Sequence, residues 1–138
     1  MGRHVRASRR AALAAAVALF PFASKAQLAT LNLDCGWIES FDSAKNAMEP
    51  TRGSAFYTIT FHSDNAGIAR QQGLGAEFKV AANDTEISGE TSYYIGQVFF
   101  RQQFNLNRYT GRIESSLVAN GNSLTHYGHC KTVQRRQF

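Results

Sequence analysis

The densest group of chemically capable side chains is His126-Tyr127-Gly128-His129-Cys130, with His62 elsewhere in the chain. Imidazole and thiolate together are the ligand types of a zinc site, but the spacing works against one. On a strand, residues three apart point to opposite faces, so His126 and His129 cannot share an ion without a bulge. No metal site is therefore expected. The two cysteines, Cys35 and Cys130, lie near the two ends of the region that remains once the N-terminal segment is set aside, and no Cys-x-x-Cys is present. In an oxidising compartment such a pair reads as one disulfide. Closing a loop of that length contributes roughly 4 to 5 kcal/mol in the chain-entropy description.

Other reactive patterns are missing. Gly121-Asn122-Ser123-Leu124-Thr125 lacks the second glycine of a serine-nucleophile elbow. Glu86, Glu90 and Glu114 are scattered among polar neighbours, as on a solvated face. Gln72-Gly73-Leu74-Gly75 reads as a bend rather than a phosphate cradle. No catalytic residue and no cofactor are expected.

The aromatic residues carry more information than the charges. Val98, Phe100, Phe104 and Leu106 alternate with Phe99, Arg101, Gln103 and Asn105, the period of two that sorts side chains onto two faces of a strand. The first row builds a core. The second is either covered by the rest of the molecule or forms an exposed aromatic and polar surface for a protein or glycan partner, with Phe99, Arg101 and Gln103 as candidate contacts.

The elements that must position these residues follow the same period. Asn107-Arg108-Tyr109-Thr110-Gly111 reverses the chain, with Gly111 at positive φ, Asn107 bonded to the turn's own backbone, and Arg108 and Tyr109 at an exposed tip available to a partner. Ile113, Ser115 and Leu117 share one face of the next strand, Asn120-Gly121 is a two-residue hairpin signal, and Leu124 to Cys130 returns. Earlier, Leu28 to Cys35 alternates and continues past a glycine bulge at Gly36. Asp42 to Ser54 reads as an exposed loop with a short helical turn around Ser43 to Met48. Ala55 to Ser63 is a clear strand, Ile68 to Gly75 is ambiguous, and Phe78 to Ala81 and Thr85 to Ser88 are short strands before a turn at Gly89-Glu90. The fold class expected is all-β: a single small antiparallel meander curling into a barrel or a sandwich.

Residues 1–26 stand apart. Arg3, Arg6, Arg9 and Arg10 precede the apolar run Ala11 to Phe22, and Ser24-Lys25-Ala26 places small residues at a cleavage site, which together form a bacterial signal peptide. The run is about half of the roughly 20 residues a spanning helix needs, so no membrane span is expected. Ser8-Arg9-Arg10-Ala11-Ala12-Leu13 resembles the twin-arginine export signal, which carries folded cargo; ordinary secretion stands beside it. The signal holds five of the 15 basic residues and none of the ten acidic ones, so residues 27–138 are formally neutral and their charge indicates no nucleic acid. That stretch suits one disulfide-closed domain, expected as a monomer in the periplasm or secreted.

Leu106-Asn107-Arg108-Tyr109-Thr110-Gly111-Arg112 with Gly128-His129-Cys130-Lys131 resembles the C-terminal pattern of small exported proteobacterial β proteins of unknown function, which have an N-R-x-T-G turn and a G-x-C strand. A more distant resemblance is to periplasmic lysozyme inhibitors, small disulfide-closed β-barrels, although their serine-glycine-rich inhibitory loop is not recognisable here. The reading that results is a non-enzymatic exported envelope protein binding a protein or cell-wall partner. The alternatives are an enzyme or cofactor carrier exported folded, and a structural or assembly accessory of the envelope.

Overall fold

The computed structural model describes residues 29–133. The expected signal peptide with its expected cleavage site, and the basic Arg135 and Arg136, lie outside the described residues. Nine strands and no helix are found among the described residues: β1 Ala29–Asp42, β2 Ala47–Pro50, β3 Ser54–Phe61, β4 Ala66–Gln71, β5 Glu77–Ala82, β6 Glu86–Ile95, β7 Val98–Asn107, β8 Arg112–Ala119 and β9 Asn122–Thr132. Every pairing is antiparallel, and the order β1-β3-β4-β5-β6-β7-β8-β9 closes through β1 and β9 into an eight-stranded barrel, with β2 added beside the far half of β1. Of the two all-β architectures expected, the chain adopts the barrel.

Alternation produces the inside. In β3, Ala55, Tyr57, Ile59 and Phe61 are buried while the residues between them are not, and β5, β7 and β8 repeat the pattern. At this strand number the interior is just wide enough for side chains to fill it. Leu33, Ile59, Phe78, Ile87, Leu106 and Ile113 form the apolar half, near the end holding the turns at Asn83 and Asn107. Tyr57, Phe78 and Phe104 meet at the waist, with ring centroids 5.0 to 6.1 Å apart.

The seam is stapled. Cys35 faces Cys130 across β1 and β9, their Cα atoms are 3.9 Å apart, and the sulfurs are bonded. The expected disulfide is therefore present, joining the first barrel strand to the last.

Several local expectations are corrected. The irregularity in β1 lies between Trp37 and Glu39, not at Gly36: the extra residue, Ile38, faces outward, and the slip lets both Trp37 and Ser40 turn inward. Asp42 to Ser54 is no helical turn. It is a hairpin in which the Asp42 carboxylate accepts the Ala44 N–H and Asn46 adopts φ 50°, returning the chain as β2. Gly89-Glu90 does not turn either, because β6 runs straight through to Ile95. Gly89 is needed for packing: the Phe104 ring opposite it occupies the space a Cβ would take, 2.3 Å away.

Candidate functional site

Long pairing between β6 and β7 creates the most exposed aromatic surface among the described residues. The register runs from Glu86↔Asn107 to Ile95↔Val98, whereas β5 accompanies β6 only to Glu90 and β8 accompanies β7 only to Arg101. The hairpin thus reaches past its neighbours as an arm. Two aromatic cross-strand pairs lie on it at successive registers, one on each face. Tyr94 and Phe99 face outward with centroids 5.1 Å apart, and Tyr93 and Phe100 stack on the inner face at 5.6 Å.

The outer pair is the notable one, because Tyr94 is 68% and Phe99 44% exposed, and Ile95 and Val118 nearby are exposed as well. Arg101 and Gln103 continue the Phe99 row. They line a shallow cleft of about 300 Å³ with Lys79, Glu90, Thr91 and Ser92 where β5 and β6 diverge. The row is not covered by the rest of the chain: Phe99, Arg101, Gln103 and Asn105 all face out.

The turn residues do not join them. Tyr109 stands ten positions from Phe99, roughly 30 Å along an extended strand, at the opposite end of the barrel. Arg108 is not at a tip at all: it is only 4% exposed, its Nη1 donates to the Asn83 carbonyl, and its backbone N–H donates to Thr85. The side chain folds inward to tie the β7–β8 turn to the β5–β6 turn. The remainder of that turn is as expected, with Gly111 at φ 76° and the Asn107 side chain accepting the Tyr109 and Thr110 N–H groups.

Sequence reasoning missed Tyr94, Ile95 and Val118. The available signal was Gly96-Gln97, which closes a two-residue hairpin and sets Tyr94 opposite Phe99.

Inside the barrel, the half below the arm is polar. The Tyr93 hydroxyl donates to Gln102, Gln102 donates to Gln71, and Thr51 donates to Ser40. Burial pushes the Tyr57 phenol up to about 12; Ser115 is close enough to offset part of this, yet no hydrogen bond of ordinary geometry joins the two hydroxyls. His126 packs on Trp37 at 5.4 Å, and burial pulls its pKa below 6.5. His129 faces out and lies 2.6 Å from the Thr110 carbonyl. The two histidines therefore point to different environments, and no group of three potential metal ligands converges among the described residues.

A larger groove of about 750 Å³ crosses the outer face, lined by Ile38, Glu39, Arg112, Glu114, Tyr127 and His129 among others. It contains none of the predicted contact residues. No helix of the described residues is long and apolar enough to cross a membrane. Comparison with protein-family models, with curated proteins and with solved structures finds no match to this chain.

Proposed function

We propose that this chain is a non-enzymatic exported protein that binds a protein or cell-wall partner through the outer face of the β6–β7 arm. The observation that carries the reading is the exposed Tyr94–Phe99 pair, flanked by Arg101 and Val118 and presented on a disulfide-closed barrel. Aromatic and arginine side chains on a rigid support provide contact area at low entropic cost, the composition found at binding surfaces. Export is supported by the signal peptide read in residues 1–26 and by the Cys35–Cys130 bond.

Binding rather than chemistry is supported by how the reactive groups are used. Both cysteines are in the disulfide, and the two groups with displaced pKa values among the described residues, Tyr57 and His126, point into the barrel. The test is capture from envelope extract and from isolated peptidoglycan by the immobilised mature protein. Wild type should retain a component that Tyr94→Ser with Phe99→Ser releases while melting normally. Equal capture by both proteins would overturn the reading.

A further inference from the structure

Closing the barrel removes most strand edges, but among the described residues several stretches stay open, including one side of β2, Val98–Phe100 of β7 and the last residues of β6. Among the described residues, Thr91–Ile95 of β6 has β7 on one side and no strand on the other. The phase of that edge follows from the turn. Gly96 at φ 62° followed by Gln97 makes a two-residue hairpin with glycine first, whose closing pair, Ile95 and Val98, exchanges both hydrogen bonds. Thr91, Tyr93 and Ile95 therefore direct their N–H and C=O groups to β7, whereas Ser92 and Tyr94 direct theirs outward. Ser88 and Glu90 share this outward phase and meet Ala81 and Lys79 on β5.

Such an edge pairs with another strand unless charge, proline or a bulge prevents it. The other short edge strand, β2, ends in Glu49 and Pro50, with Lys45 paired to Glu49. Thr91-Ser92-Tyr93-Tyr94-Ile95 has none of these guards and consists largely of residues that favour strands.

We infer that this edge joins two copies of the chain into a dimer, β6 pairing antiparallel with β6 of the second copy about a two-fold axis at Tyr93. Ser92 then faces Tyr94 of the second copy and Tyr94 faces its Ser92, so each outward N–H meets an outward C=O. Neighbouring symmetric registers fail this test. An axis at Ser92 sets Tyr94 against Glu90, which β5 already occupies, and an axis at Tyr94 sets Ser92 against Gly96 in the turn. Side chains agree with the Tyr93 register. The segment brings no like charges together, and on the outer face small Ser92 alone separates Tyr94 from Arg101 of the other copy, within reach of a cation–aromatic contact.

The inference does not depend on the proposed partner face, since it is read on the protein alone. Sedimentation velocity of the mature, disulfide-bonded protein should show a reversible, concentration-dependent monomer–dimer equilibrium. Ser92→Pro removes an outward N–H without touching the β6–β7 ladder, and it should abolish the dimer while the circular dichroism spectrum and partner capture are retained. Tyr93→Cys should form a covalent dimer under mild oxidation, because only the residue on the axis meets itself, and Ser92→Cys should not. The inference is overturned by a wild type that stays monomeric up to about 1 mM, the weak end of specific association. It is equally overturned by a dimer that survives in folded Ser92→Pro, or by Ser92→Cys crosslinking as readily as Tyr93→Cys. Should Ser92→Pro fail to fold, the two cysteine variants decide.

Discussion

The guanidinium of Arg108 donates to the backbone carbonyl of Asn83, 25 positions earlier, and so joins two turns at one end of the barrel. Both turns are built alike. The Asn83 side chain accepts the Thr85 and Glu86 N–H groups, and Asn107 does the same for Tyr109 and Thr110. Arg108→Ala leaves that carbonyl without its charged donor and removes a buried side chain, and should cost about 2 to 3 kcal/mol. Tyr109→Ala, one position on and exposed, should stay within about 0.5 kcal/mol. Urea unfolding of the two variants checks the contrast, and equal losses would show that the tie is not what stabilises this end.

The disulfide closes the barrel across a sequence separation of 95. Cys130→Ser should lower stability by about 4 kcal/mol if constraint of the unfolded chain dominates. The strand pattern should survive, because β1 and β9 remain paired on both sides of the lost bond. Thermal melts read the first effect and circular dichroism below the midpoint reads the second. Unchanged melting would show that the seam is held by its ladder alone.

A ring lies over a glycine on the facing strand in two places. Phe104 covers Gly89, and Trp37 covers Gly128, whose Cβ would stand 2.8 Å from the indole and 2.1 Å from the Gly36 carbonyl oxygen. Gly89→Ala can be relieved only by moving a packed ring, and Gly128→Ala must move backbone. Each should cost about 1 to 3 kcal/mol or more, with Gly128→Ala the worse. Calorimetry on both variants tests the order.

These same positions explain what was legible in the chain. Alternation in β3, β7 and β8 is written plainly in residue types, and the turns at Asn107 to Gly111 and Asn120-Gly121 are local chemistry, so they could be read directly. Gly89 could not, because a glycine that makes room for a distant ring looks identical to one that makes a turn. That misreading shortened β6 and hid Tyr94. Arg108 was misplaced for a related reason: its acceptor arrives from another hairpin, and nothing near it in sequence reveals burial. Barrel closure depends on the register between β1 and β9, which no local period carries. Of the candidate contacts, the Phe99, Arg101 and Gln103 row was visible as a face, while its extension into an arm depended on where neighbouring strands stop.

Tyr57 is fully buried, and its hydroxyl has no hydrogen-bonded protein partner. Tyr57→Phe keeps the ring contacts with Phe78 and Phe104 and removes the polar atom, so it should be neutral or stabilising by up to about 1 kcal/mol at pH 7. Alkali provides the second readout. The folded phenol is pushed up to about 12 from 10.0, chiefly by burial, so the folded protein retains a proton that the unfolded chain loses. Stability should fall as pH rises from 10 towards 12, and the phenylalanine variant should lose this part of the fall. Parallel denaturation curves at pH 9 and 11 for the two proteins would contradict it.

His126 permits a titration inside the barrel to be followed optically. Its register partners are Ser40 and Ser115, neither charged, and its ring packs on Trp37, the only tryptophan in the chain. With no counter-charge opposite, desolvation decides, and the folded pKa falls below 6.5. The unfolded chain therefore takes up a proton first as pH drops. This group's contribution to stability is fully present above 6.5, declines as pH falls from 6.5 through the folded pKa, and is flat below it. Protonation should also quench Trp37 emission, since an imidazolium then lies against the indole. The quenching midpoint should lie below 6.5 in the folded protein, and His126→Phe should abolish both the midpoint and its share of the acid destabilisation. A midpoint above 6.5 would mean that an acid approaches the imidazole in solution and that the polar half of the barrel is arranged differently around it.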